Sequence, residues 1–185
     1  MIVGVDEVGR GCWAGPMCVG AVAFDDALTI DGLKDSKLLS AKQRKNITMR
    51  IKQQASAIGL GWVSATEIDR LGLTAALTLA TTRALGQIVV DYDQLILDGA
   101  TLFSDDPRAI ALPKADSLVP AVSAAAVVAK VARDTYMQLL GPQFAKYHFV
   151  KHVGYGTLLH RQMLELYGPS AIHRRSFRPI KDMLT

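Results

Sequence analysis

The sequence predicts an α/β fold, a mixed five-stranded sheet flanked by helices, and three observations carry that expectation. Short apolar runs rich in β-branched residues recur along the chain, helical stripes lie between them, and one run of small residues begins at a proline. Taken in order, "IVGVD" (2–6) and "MCVGAVAF" (17–24) read as strands. A helix is expected over 40–56, with Ser40 as its N-cap. The third strand is "IGLGWVSA" (58–65), and a second helix follows over 73–90, where Leu73, Leu77, Ala80, Ala84 and Ile88 share one face. "QLILD" (94–98) is the fourth strand, and a weaker fifth lies near 109–114. The third long helix, 120–140, starts at Pro120, whose missing N–H would be unpaired in a first turn anyway. Its "AVSAAAVVA" is almost all small side chains, so its backbone should lie close against the sheet. Shorter helical turns are expected at 156–167.

At 185 residues the chain fits one domain of residues 1–140 with a basic helical appendage, 141–185, packed on it. No run approaches the roughly 18 uncharged apolar residues of a membrane span, and Met1 leads into no signal peptide, so the expectation is a cytoplasmic protein without membrane contact. Cys12 and Cys18 match neither a redox nor a zinc spacing and read as small apolar residues. Charge is divided unevenly. Residues 1–140 hold 14 Lys+Arg against 15 Asp+Glu, whereas 141–185 hold 7 against 2 and all four histidines. Such a segment suits either a polyanion or a solvated basic face. His148, His152, His160 and His173 contain no HExxH pair and are expected at the surface or facing substrate.

The acids are more informative. Asp6 and Glu7 close the first strand, Asp98 closes the fourth, and Asp116 stands just before the small-residue helix. Ends of strands are where open α/β sheets put their sites. Successive strand residues point to opposite faces, so Asp6 and Glu7 can converge only if the strand ends or bends there, with Gly9 and Gly11 suited to the turn. Two carboxylates about 4 Å apart repel by roughly 4 kcal/mol at an effective dielectric near 20. A gathering of four therefore needs compensation, which hard Mg²⁺ or Mn²⁺ supplies while leaving room for phosphate oxygens. A pair of such ions activates water and stabilises the leaving oxygen of an in-line displacement at phosphorus. Spacing alone leaves the other reading open, that these are capping and turn-forming acids.

The blocks "GVDEVGRG", "DSKLLS" (35–40), "LILDG", "KADSLVPAVSAAAVVAKVARD" (114–134), "GYGT" (154–157) and "HRRSFRP" (173–179) together resemble, in order, the signature of type 2 ribonuclease H, bacterial ribonuclease HII in particular. The resemblance implies a ribonuclease H-like fold and two-metal hydrolysis of RNA in RNA/DNA hybrids, with cleavage 5′ of a lone ribonucleotide in duplex DNA. It makes Asp6, Glu7, Asp98 and Asp116 the metal-binding and catalytic carboxylates, with Mg²⁺ or Mn²⁺ as cofactor. Gly9, Arg10 and Gly11 match a loop that senses the ribose 2′-OH, the group that separates RNA from DNA. Tyr155 matches a tyrosine stacked on the following sugar, and Lys37 and Lys130 fall in blocks similar to phosphate contacts. The implied partners are RNA/DNA hybrid and ribonucleotide-containing duplex, acted on by a monomer.

Each assignment has a plainer counterpart: a surface arginine at Arg10, a packing tyrosine at Tyr155, and solvated lysines at Lys37 and Lys130. The chain also departs from the family pattern. Cys12 replaces a common proline, Leu38 a frequent basic residue, Ala100 a frequent asparagine and Ala126 a frequent serine. These touch substrate contacts and rate, and none removes a carboxylate. The rival functions are a metal-dependent junction resolvase of related fold and a non-catalytic hybrid-binding module.

Overall fold

In the computed structural model, which describes residues 1–24, 30–33 and 39–184, the central strand is β1 (Ile2–Val8). It pairs antiparallel with β2 (Met17–Phe24), which pairs antiparallel with β3 (Ala57–Val63). On its other side β1 pairs parallel with β4 (Gln94–Asp98), and β4 with β5 (Ala109–Leu112). The sheet order is thus β3-β2-β1-β4-β5, the mixed five-stranded sheet that the apolar runs predict. Lys37 and Leu38 lie outside the described residues.

Helices cover both faces. Ser40 opens α1 (Ala41–Gln54) through a reciprocal capping box with Gln43. The expected strand 58–65 ends early, because Ser64 caps a helix through Glu67 and starts α2 (Ala65–Leu71), which the sequence reading missed. The helix expected over 73–90 is α3 (Leu73–Leu85); it stops at Gly86, so Ile88 falls beyond it, although Leu77, Ala80 and Ala84 are buried on one face as expected. A short α4 (Ala115–Leu118) leads into α5 (Pro120–Leu140), whose bounds match the pattern read from the sequence. The chain finishes with α6 (Phe149–His152) and α7 (Leu158–Tyr167) among turns.

Two layers of core follow from alternation along the strands. Val3, Val5, Val19 and Ala21 pack with Leu77 and Ala80 of α3 on one face, while Val22 and Phe24 pack with Ala124, Ala125 and Val128 of α5 on the other. Close approach of α5 is a matter of glycine: a Cβ on Gly4 would stand 2.2 Å from the Ala121 carbonyl carbon, and one on Gly20 would stand 2.5 Å from the Ala125 oxygen. The small residues of α5 and the bare glycines of β1 and β2 are two halves of one contact, and α5 carries Asp116's segment with it. Among the described residues no helix is long and apolar enough to cross a membrane.

Candidate active site

The four acids named by the sequence arrive on three segments at the same end of the sheet. Asp6 and Glu7 lie on β1, Asp98 is the last residue of β4, and Asp116 lies in α4. The bend expected at Asp6–Glu7 is not there. β1 keeps its register with β2 through Asp6↔Gly20, Glu7↔Val19 and Val8↔Cys18, and the chain turns only at Gly9, with φ 83. Convergence has another cause. Pairing of β1 with β4 stops at Val5↔Leu97, so beyond it β1 has a neighbour on one side only. Glu7 keeps the α3 face that Val3 and Val5 occupy, and Asp6 keeps the α5 face of Gly4. Both faces open onto the gap left past the end of β4.

Two cavities meet there. The larger, about 340 Å³, is lined by Asp6, Glu7, Asp116, Arg44, Lys130 and Tyr155, with Ala126 in its wall. The smaller contains Asp6, Glu7 and Asp98 beside Phe103. Asp116 is 5% exposed, and its N–H points at Asp98 Oδ1 from 3.5 Å. Ser117 Oγ donates to Asp116 Oδ1 at 3.3 Å, and Ser123 Oγ of α5 donates to the Asp116 carbonyl. Burial, then the charges of Glu7 and Asp98, push the Asp6 carboxyl up to about 8, against the hydrogen bond that the Glu7 N–H donates to it at 2.7 Å. Burial also raises Glu7, offset in part by Arg10, whose Nη1 lies 3.4 Å from Glu7 Oε1.

Among the described residues no three His, Cys, Asp or Glu side chains are gathered into a ready-made metal cage. Glu7 leans instead to Arg10. The donor set still fits a hard divalent ion in its chemistry: only carboxylate oxygens, of which that of Asp6, buried and facing the charges of Glu7 and Asp98, is pushed up to about 8 and so keeps a proton near neutral pH. A divalent cation bound there would take the place of that proton.

The other named residues surround this floor. Arg10 and Gly11 are exposed on the loop after β1, whereas Gly9 is buried. Tyr155 is half-buried, its hydroxyl hydrogen-bonded to Cys12 and pushed up to about 12 by burial, so it stays neutral. Lys130 lies 5.3 Å from the Tyr155 ring centre and donates to Asp134 at 3.0 Å, so it is no free surface lysine. Cys12 and Cys18 are buried free thiols, as expected of small apolar residues. Ala100 is exposed beyond β4.

Three features escaped the sequence reading. Arg44 lines the larger cavity; a signal existed, since it lies one helical turn before the buried Ile47 and Thr48 of α1. Arg133 and Arg174, each fully buried, hold carbonyls more than a hundred residues away in most cases, which no local pattern reports. The histidines need correction. Only His148 is exposed; His152, His160 and His173 are buried and packed together, with His160 Nε2 2.9 Å from His173 Nε2 and the rings of His152 and His160 stacked at 4.4 Å. Each ring finds backbone partners, such as Tyr147 O for His152 and Tyr155 O for His160, so they form an interior hydrogen-bonded group.

A five-stranded mixed sheet in this order, with helices on both faces and acids at the open end of its central strand, defines a ribonuclease H-like protein. A family model described as Ribonuclease HII matches residues 3–180. The chain belongs to the ribonuclease HII family, a family of metal-dependent endoribonucleases. It is 41% identical over 187 aligned positions to the ribonuclease HII of Nitrosospira multiformis, covering 99% of this chain and 92% of that one. The solved ribonuclease H2 of Pyrococcus horikoshii superposes with a TM-score of 0.83 at 25% identity, over 98% of this chain and 96% of that one. A more distant fold relative, Bst-RNase HIII solved in complex with Mn²⁺, gives a TM-score of 0.74 at 20% identity, over 99% of this chain and 68% of that one.

Proposed function

We propose that this chain hydrolyses the RNA of RNA/DNA hybrids and cuts on the 5′ side of single ribonucleotides in duplex DNA. Asp6, Glu7, Asp98 and Asp116 would hold two Mg²⁺ or Mn²⁺ ions, whose chemistry is to activate water and steady the leaving oxygen. The single observation that carries this is the meeting of these acids, from β1, β4 and α4, around two adjoining cavities. A structural cluster would scatter such acids to caps and turns, where each is solvated.

The protein's own groups supply the rest. Lys130 and Arg44 bring positive charge to the wall of the larger cavity, suited to phosphates on either side of the cut. Tyr155 presents a ring at the same wall for a sugar to stack on. The Gly9–Arg10–Gly11 loop brings exposed backbone N–H groups to the ribose, where a 2′-OH oxygen can accept. Residues 141–185, a basic appendage on the catalytic domain, add long-range attraction for the duplex, so affinity falls as salt rises.

The test is one duplex with a single embedded ribonucleotide, incubated with Mg²⁺, with Mn²⁺ or with chelator, and the cut mapped. Cleavage 5′ of the ribonucleotide in metal alone is expected. Cutting of branched all-DNA junctions with the ribonucleotide ignored would favour a resolvase. Metal-independent binding without any cutting would leave only a binding module.

A further inference from the structure

The geometry points to Arg174 as the positioning residue that orients the Gly9–Arg10–Gly11 loop for reading a ribose. This rests on the proposed reading of that loop as the sugar sensor. Arg174 is fully buried, and its guanidinium donates to three carbonyls: Nη2 to Gly9 O at 2.7 Å, Nη1 to Arg10 O at 2.8 Å and Nε to Gly15 O at 3.1 Å. Its own backbone is fixed, since the Arg174 N–H donates to Trp13 O at 2.8 Å and its neighbour His173 bridges Ala14.

Peptide planarity gives these bonds their meaning. In a trans peptide the C=O and the following N–H point in opposite directions. With the Gly9 carbonyl held inward, the Arg10 N–H must face outward; with the Arg10 carbonyl held inward, the Gly11 N–H must as well. Two successive N–H groups are thereby presented on the exposed side of the loop, and among the described residues neither has a hydrogen-bond partner. Successive outward N–H groups make a concavity for an electron-rich oxygen. The loop cannot relax inward either, because a second buried guanidinium, that of Arg133, packs under Gly9, 2.1 Å from where a Cβ would stand.

Energetics argues that this arrangement is not packing alone. Among the described residues Arg174 makes no ion pair, and the Asp69 carboxylate nearby is spent on the N–H groups of Arg175 and Ser176. Burying a guanidinium without a counter-charge is costly, and its hydrogen bonds to three carbonyls offset that cost only while the loop keeps those carbonyls turned inward. The three carbonyls are met by three different nitrogens, Nε, Nη1 and Nη2, spread along a planar fork; a lysine ammonium carries its three donors on one nitrogen and does not span the same positions.

The experiment measures binding of a duplex carrying one ribonucleotide and of the matching all-DNA duplex, in Ca²⁺ to prevent turnover, for the wild type, Arg174→Lys and Arg174→Met. Mn²⁺ affinity without nucleic acid and the melting temperature are read in parallel. The expected result is a fall of about tenfold or more in the ribonucleotide preference of both variants, as hydrogen bonds from a charged group are lost, with Mn²⁺ affinity unchanged. A purely structural arginine would lower the melting temperature and leave the preference as it was, which would overturn the proposal. Should the wild type itself show no preference, the sugar-sensing reading fails instead. Should neither variant fold, the wild-type Arg174 guanidinium protons decide by NMR: a shift on adding the ribonucleotide duplex but not the all-DNA duplex is expected, and equal shifts overturn the assignment.

Discussion

At the level of single residues, the four acids were legible because three close apolar runs and the fourth stands just before one, whereas their mutual geometry was not. Alternation forbids neighbours on a strand from sharing a face, and the structure obeys that rule; it escapes the conflict by ending β4 beside Asp6, a tertiary fact no local pattern contains. Asp98 lines the smaller cavity with the Asp116 N–H aimed at its Oδ1, and Asp98→Asn keeps its shape while removing its charge. Turnover of the ribonucleotide duplex is expected to fall about 10³-fold or more, with duplex binding retained; comparable turnover would remove Asp98 from the catalytic set. Asp6 gives a test without substrate. Its carboxyl titrates near 8 in the folded chain against 3.8 for an unperturbed one, so between those values the folded state binds more protons than the unfolded. Stability from this group is complete below about pH 4 and is lost as pH rises through 8. In chelator the wild-type melting temperature should therefore decline toward pH 9 more steeply than that of Asp6→Asn. Added Mg²⁺ or Mn²⁺ should stabilise the wild type most at the alkaline end. Parallel curves for the two proteins would show that Asp6 is neither buried nor set against like charges in the folded chain.

At the level of elements, the long pieces were readable and the short ones were not. Pro120 and the small-residue run define α5, and Ser40 with Gln43 defines the start of α1, because a cap and a period act over a few residues. α2 was missed although "SATE" carries the same capping box, since the apolar run before it extends the strand signal up to Ser64 and hides the cap. The reach of α3 was overestimated because the apolar residues Ile88 and Val90 continue to pack on the core after the helix has ended. The contact that matters most to the site is α5 on β1, where a missing side chain at Gly4 lets the backbones touch. Gly4→Val is expected to destabilise the fold by about 3 kcal/mol or more, since a branched side chain must displace helix backbone and not a flexible neighbour. Chemical denaturation measures it. A loss under about 1 kcal/mol would mean that α5 can move away freely, and Asp116 with it.

At the level of the whole molecule, the basic C-terminal segment is tied to the site by interior groups that the sequence reading placed outside. The Ser170 N–H donates to His173 Nδ1 at 2.8 Å, which puts the His173 proton on Nε2. That proton faces His160 Nε2 at 2.9 Å, which leaves His160 to donate through Nδ1 to the Tyr155 carbonyl at 2.9 Å. The chain of bonds runs from the turn before "HRRSF" to the loop of the cavity tyrosine, and it works only while both rings are neutral: a further proton on His160 would set two Nε2–H donors against each other, and one on His173 would set its Nδ1–H against the Ser170 N–H. Burial is the main cause that pushes both histidines down to about 4, from an ordinary 6.5. Their folded state binds fewer protons than the unfolded across that window, so their contribution is complete above about pH 6.5 and is lost as pH falls toward 4. This is opposite in sign to Asp6, and comparison of variants separates the two. His173→Gln removes one titrating ring while its amide can still accept from Ser170 and donate onward. It should be less stable than the wild type at pH 7.5 yet lose less melting temperature between pH 7 and pH 5. Hydrogen exchange at pH 5 should show residues 155–173 of the wild type opening before the strands of the sheet, because the broken bonds lie there. Equal acid sensitivity in the two proteins, with uniform exchange, would mean that these histidines meet solvent and that the C-terminal segment is held by its apolar contacts alone.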